Sequence, residues 1–449
     1  MDLIKLYFEG IPLPVLLLGP VVVIVGFVVT PARWRLPLLL ALLVPWMATG
    51  RFTELGAARS FTKSTGFLYF LLIAVAAHLD PYPKRKPSPW VYGHVLLAVL
   101  GFAYIMTVSD RMLAMARQMQ WLFLVLAAIG VSRTMVDQAS IVRVLKPLAA
   151  GAIIVTFMSL VDLVMDPQGA LRRGARFEPF GVISNQIGIV FAMAATLVMY
   201  FVVGAERSRA KQLGMVFIGL ASILTLLTGS RSSMAALVLP AMPLFFRAFR
   251  RPILMLVGAG TVLAGVVIVQ GSLERTRFER FTSLKSARFD IAGEYLSVIA
   301  QRPLTGLMTT HGESLLTDTD VGAHTHNAFL QLLYFGGVSY AAPMFVLMGV
   351  ALWSAFRVWR ERARTGLDPL LVAYLAAFFG FMYLHGFASG TIFFPTYAWA
   401  FWHILMACWF LTEWPALRAA GAQAEWDETP TDAYEPYDEA GWGRPGLVG

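Results

Sequence analysis

Three groups of polar residues interrupt an otherwise apolar chain, and their types define the chemistry open to it. Arg231 lies in the run Leu227-Thr228-Gly229-Ser230-Arg231-Ser232-Ser233, a polar break in a stretch with no other charge from Leu213 to Phe246. An arginine near hydrocarbon costs up to about 3 kcal/mol, so it wants an anionic partner or a wet cavity. Its guanidinium fork suits phosphate oxygens, and Ser230 beside it adds a hydroxyl; the plainer reading is a snorkelling arginine in a turn. A second group crowds Arg172, Arg173 and Arg176 ahead of Phe177-Glu178-Pro179-Phe180-Gly181 and then Ser184-Asn185-Gln186. Here the plainer reading pairs Arg176 with Glu178.

The third group is His324-Thr325-His326-Asn327, just before an apolar run beginning at Ala328. A histidine at a membrane interface takes up a proton near neutral pH, as a general base must; alternatively, His326 and Asn327 cap a helix. A zinc reading would draw on His311, Glu313, Asp318 and Asp320, but no three-ligand spacing emerges. Together the groups describe two cations and a base, a site for an anionic, lipid-linked substrate whose phosphate leaves as a hydroxyl attacks.

Helices in a bilayer must position these residues. The chain has 449 residues, 57% hydrophobic and 14% charged, with mean hydropathy +0.66, far from the charge content of soluble domains. Thirteen apolar runs recur: Ile11 to Val29, Leu36 to Thr49, Gly66 to Leu79, Val91 to Val108, Gln120 to Gly130, Pro147 to Met165, Ile187 to Val203, Leu213 to Thr228, Met234 to Phe246, Ile253 to Gln270, Ala328 to Phe356, Pro369 to Phe387 and Ile392 to Leu411. None alternates as a barrel strand would. The fold expected is therefore all-α, a polytopic transmembrane bundle of about 12 or 13 spans. Asp2 and Glu9 argue against a signal peptide, so the first run is read as a retained span. One cysteine, Cys408, excludes a disulfide framework or a cysteine metal cluster.

Alternate short loops hold 18 lysines and arginines, among them Arg33, Lys84, Arg85, Arg133, Arg143, Arg207, Arg250 and Arg357; these loops belong in the cytoplasm. All three polar groups then share the outer face, although ten basic residues in the opposite short loops and N-terminus run against the orientation rule. Residues 1–411 form the membrane domain, with 271–325 as a long periplasmic loop in which Ser286 to Gln301 reads as an amphipathic helix. From Thr412 onward eight acids and two arginines give a net −6, leaving +15 on the rest. That tail, 412–449, is expected to be a disordered cytoplasmic segment.

These motifs resemble a known family. His326-Asn327, nine residues and then Gly337 are similar to the signature of the O-antigen ligases, within the superfamily that also holds Wzy-type and exopolysaccharide polymerases. Gly229-Ser230-Arg231-Ser232 resembles its Ser-Arg turn. Arg176, nine residues before Asn185, resembles its loop arginine, with Pro179 and Ser184 departing from the usual glycine and proline. Arg288 and Arg302-Pro303-Leu304-Thr305-Gly306-Leu307 resemble its segment ahead of the histidine. The resemblance implies an inverting, metal- and cofactor-independent glycosyltransferase of the bacterial inner membrane, with its site facing the periplasm. The donor would be an undecaprenyl-diphosphate-linked glycan and the acceptor lipid A-core or a growing glycan; nucleic acid has no place. Carried over, His326 acts as base, while Arg176 and Arg231 hold and stabilise the diphosphate. Asn327, Arg172, Arg173, Asn185, Arg288 and Ser230 are the expected substrate contacts, and Arg85, on the cytoplasmic side, is expected to be dispensable.

A transporter or flippase of an anionic lipid-linked solute is the competing reading. It would place ionisable groups near the midplane and show matching halves. The midplane candidates are Asp162, His385, His78, His94 and His403, each read as a satisfied interhelical polar group, and no internal repeat is visible.

Overall fold

The computed structural model describes residues 11–107, 111–171, 176–204, 208–248, 288–307, 327–387, 389, 391–393 and 398–427. Thirteen helices of more than ten residues make up these segments: α1 (Leu13–Val29), α2 (Ala32–Thr49), α3 (Gly56–Leu79), α4 (Pro89–Leu100), α5 (Arg111–Thr134), α6 (Gln138–Met165), α7 (Ser184–Gly204), α8 (Ser208–Leu227), α9 (Arg231–Ala248), α10 (Arg288–Gln301), α11 (Ala328–Arg360), α12 (Pro369–Gly386) and α13 (Ala398–Asp427). Eight of the described helices are long and apolar enough to cross a membrane. The protein is an all-α, multi-pass membrane protein. Twelve of the expected runs coincide with a described helix; the remaining one, 253–270, lies outside the described residues.

Local chemistry starts several helices. Proline opens α4 and α12, where its missing N–H has no intrahelical partner to lose. Asp137 and Ser140 form a reciprocal capping box on α6; those bonds hold the Asp137 carboxyl below its usual range. Asp368 caps α12 by accepting from Leu370 N at 2.9 Å.

The C-terminal helix occupies the middle of the bundle. Phe401, Ile404, Leu405, Met406, Ala407, Cys408 and Phe410 are fully buried, and α13 packs on α2, α4, α5, α11 and α12. On the outside, α1 leaves Leu17, Leu18, Val22 and Val28 exposed, as a lipid-facing helix should. Beyond Leu411 the helix continues to Asp427. The structureless tail expected from Thr412 is corrected over those residues, because Ala416, Leu417, Arg418, Ala419 and Ala420 are strong helix formers; 428–449 lie outside the described residues.

Ion pairs tie one end together. Arg143 donates to both carboxylate oxygens of Asp80, at 2.7 and 2.8 Å, with its guanidinium 3.9 Å from the Tyr82 ring centroid. Arg85 donates to the buried carboxylate of Glu413 and, at 3.0 Å, to the Val136 carbonyl, while its own carbonyl accepts from Arg133 Nε. Burial raises the Glu413 pKa and Arg85 opposes the rise. The expectation that Arg85 is dispensable is corrected, since removing it strands a buried acid.

The midplane candidates differ from one another. Asp162 is engaged, accepting from Phe180 N at 2.7 Å, and His78 lies exposed at the end of α3. His94 and His403 are buried, yet their ring nitrogens bond to no group among the described residues, which corrects their reading as satisfied polar groups. Aromatic rings surround His403 instead, with Phe379, Tyr383 and Phe393 centroids 5.1 to 5.9 Å away.

Candidate functional site

At the opposite end a short irregular segment between α6 and α7 carries Arg176. Its course is fixed by backbone bonds: Leu171 bridges Phe177, and Glu178 N donates to Ala170 O at 2.7 Å. Phe180 (φ 50°) and Gly181 (φ 70°) then turn the chain through two consecutive left-handed residues. That conformation costs a non-glycine about 1 kcal/mol or more, and the surroundings hold it in place. Asp162 accepts from the Phe180 amide; the Phe180 carbonyl accepts from Glu54 N at 3.3 Å; Thr53 Oγ1 donates to Gly181 O at 3.2 Å. The Phe180 ring packs on Phe52 at 4.9 Å.

The anchored segment aims Arg176 across the bundle. Its Nε donates to the Thr228 carbonyl at 3.0 Å and its Nη2 to Asn185 Oδ1 at 3.1 Å. Thr228 and Gly229 form the turn between α8 and α9, and Gly229 takes φ +60°, the left-handed terminus that glycine supplies without strain. Ser230 is buried and caps α9, its Oγ accepting from Ser233 N at 3.3 Å. Gly188 of α7 permits the close approach, because a Cβ there would lie 2.5 Å from Ser233 Oγ and 2.7 Å from Thr228 Oγ1. Arg231, exposed, is the first residue of α9.

Arg176 and Asn185 thus meet at the turn that leads through Ser230 into Arg231. The electrostatics there work against stability: a helix N-terminus already carries about half a positive charge, and a cation beside it costs about 0.3–1 kcal/mol. Arg231 stands on the first turn of α9, and Arg176 reaches the turn before it through Thr228 O, a place where an anion would be stabilised.

A second construction lies in α11. Gly337 has φ +59° and ψ −168° and breaks the helix. The strap Arg302–Leu307, which follows α10, inserts its backbone into the gap. Val338 N donates to Pro303 O at 2.8 Å, Ser339 N to Leu304 O at 3.1 Å, and Leu307 N to Tyr334 O at 2.9 Å. The amides and carbonyl freed by the break thereby find partners. Gly306, at φ +55°, fits only as glycine, since a Cβ would lie 2.6 Å from Gly337 N and from Tyr334 O. Ile291, Tyr295, Val298 and Ile299 of α10 pack on Tyr334 and Phe335 of α11, with Tyr295 and Tyr334 rings 4.5 Å apart. Burial pushes the Tyr295 hydroxyl up to about 12. The amphipathic helix is accordingly pinned to α11 along its apolar face, leaving Leu296 exposed.

Asn327 caps α11, its Oδ1 accepting from Phe329 N at 2.9 Å and Leu330 N at 3.1 Å. That oxygen is committed to the helix, which fixes the residue bonded directly to His326. Arg288 begins α10. His324, His326, His311, Glu313, Asp318, Asp320, Arg172 and Arg173 lie outside the described residues.

Residues 215–342 match the family described as O-Antigen ligase. This segment, less than half of the chain, is similar to that family. The match takes in the Thr228–Arg231 turn, the strap, Asn327 and Gly337, whereas Arg176 and Asn185 precede it. No curated protein matches the chain.

The cations stand out in the sequence; what holds them does not. Asp162, expected to serve as an interhelical group, instead anchors the Phe180 turn, and Thr228 contributes through its carbonyl, which no side-chain pattern marks. Gly188 gave no signal beyond being a small residue in an apolar helix.

Proposed function

We propose that the protein transfers a glycan from undecaprenyl diphosphate to an acceptor hydroxyl on the periplasmic face of the inner membrane. It acts as an O-antigen ligase on lipid A-core, or as a polymerase on a growing chain. The observation that carries this reading is that Arg176 reaches the turn opening α9 at Arg231, inside the segment matched to the family. Two guanidiniums and a helix terminus suit a diphosphate, and they act most strongly as charge builds on it during bond cleavage.

In the proposed step the acceptor oxygen attacks the anomeric carbon and the bond from that carbon to the diphosphate oxygen breaks. His326 takes the acceptor proton, and undecaprenyl diphosphate leaves as the anion held by Arg176 and Arg231. Attack from the opposite face inverts the anomeric centre without a covalent enzyme intermediate or a metal.

The test is a surface-glycan profile of cells lacking the protein, complemented with wild type, His326→Ala or Arg231→Ala, with the lipid-linked pool measured alongside. Long chains accumulating on undecaprenyl diphosphate identify a ligase, and single repeat units identify a polymerase. Full complementation by either variant would remove its assigned role, and an unchanged profile in the deletion would favour the transporter reading.

A further inference from the structure

We propose that the corner between α2 and α3 is a second anion-binding subsite, built from Arg51, Arg59 and Lys63, which takes a phosphate carried by the acceptor. The inference rests on the transferase reading above and names what that reading leaves open, the chemistry that recognises the acceptor.

The three cations are brought together by local structure. Arg59 and Lys63 stand four residues apart on the first turns of α3, so they share a face. The Lys63 stem lies against Gly50, where a Cβ would be 3.8 Å from Lys63 Cγ, and Arg51 is the next residue. All three are half-buried. With exposed Glu54 in the same corner, the local balance is +2. Arg59 Nε is buried and donates to no group among the described residues. A buried donor of a charged group left in that condition is costly, and an arriving oxyanion would relieve it.

The corner is attached to the catalytic end. Glu54 N and Thr53 Oγ1 donate to the Phe180 and Gly181 carbonyls, on the turn that carries Arg176. A ligand held by Arg59 is therefore bound by a loop that shares its anchor with the proposed diphosphate clamp. The position also runs against the orientation rule, since these cations lie at the end opposite the Arg85, Arg143 and Glu413 cluster. Because Arg176 and Arg231 suffice for one diphosphate, a separate cluster next to them fits the other substrate.

The experiment uses the full-length protein in phosphatidylcholine vesicles, with lipid-linked glycan as donor. The acceptor is supplied either with its phosphates or after phosphatase treatment. Arg59→Gln and Lys63→Gln should each raise the KM for the phosphorylated acceptor by roughly tenfold, in line with loss of one charge-assisted bond. The donor KM should stay unchanged, Arg59→Lys should recover part of the loss, and phosphatase treatment should cost wild type the same factor while erasing its advantage over the variants. An equal defect on both acceptors would overturn the proposal in favour of a structural role. A defect that follows added phosphatidylglycerol rather than acceptor phosphate would overturn it in favour of a lipid-headgroup site. Wild type that transfers nothing to either acceptor would instead sink the transferase reading, and this inference with it.

Discussion

Replacing Gly337 with alanine should separate the strap from α11 without unfolding the bundle. The residue sits at φ +59° and ψ −168°, a region open essentially to glycine, so a side chain costs about 1–3 kcal/mol from backbone strain alone. The added methyl would overlap the Leu304 carbonyl and lie 2.5 Å from Gly306 N. These are backbone atoms that cannot rotate away. Displacing the strap gives up three hydrogen bonds, Val338 to Pro303, Ser339 to Leu304 and Leu307 to Tyr334, each worth about 1 kcal/mol. The combined penalty of about 4–6 kcal/mol exceeds what α10, held by a small cluster around Tyr295 and Tyr334, can absorb. Hydrogen exchange over 302–307 and 334–339 should accelerate by roughly 10³ to 10⁴, at tenfold per 1.4 kcal/mol, and glycan transfer should fall with it. Gly349→Ala is the matched control, because on the same helix a Cβ there meets nothing within 4 Å. Wild-type exchange and transfer in Gly337→Ala would refute the reasoning.

Three further outcomes follow from the same contacts. Arg85→Ala should lower Tm in detergent by stranding Glu413, at a cost of about 1–3 kcal/mol after allowing for the partly exposed partner. Burial already raises the Glu413 pKa, so without Arg85 the folded protein binds its proton more tightly; the defect should be largest at neutral and alkaline pH and shrink on acidification toward the ordinary carboxylate range. Arg176→Lys keeps the charge but not the fork that reaches Thr228 O and Asn185 Oδ1 together, and transfer should drop by roughly 10- to 100-fold with little change in Tm. Asp162→Ala leaves the Phe180 amide without its acceptor, costing about 1–3 kcal/mol; exchange at Phe180 should quicken and transfer should fall, and an unchanged exchange rate would show that the turn is held by Thr53 and Glu54 alone.

The helices were legible because a bilayer demands long apolar runs, and the residues flanking them, such as Asp137 and Asn327, carry recognisable caps. Arg231 and Arg176 were legible because charge in an apolar setting is conspicuous. What stayed hidden is long-range and carried by the backbone. Arg85 finds Glu413 across 328 residues, and no pattern near either residue announces the other. The strap was visible only as a run of family-like residues around Gly306, with nothing to say that its carbonyls complete a broken helix. Buried His94 and His403 show the converse: a polar type in an apolar run was expected to find partners, and aromatic rings surround His403 instead.

The position of α13 has a consequence for biogenesis. The segment that fills the centre of the bundle is made after every helix it packs on, so α2, α4, α5, α11 and α12 enter the membrane around a place not yet occupied. Closure then awaits the arrival of α13, when Trp409 Nε1 reaches Met135 O at 3.2 Å, Ser88 N reaches Thr412 Oγ1 at 3.4 Å and Arg85 reaches Glu413. A chain truncated before Ala398 would insert its helices yet never latch, leaving quality-control proteases an assembly whose defect lies in its interior.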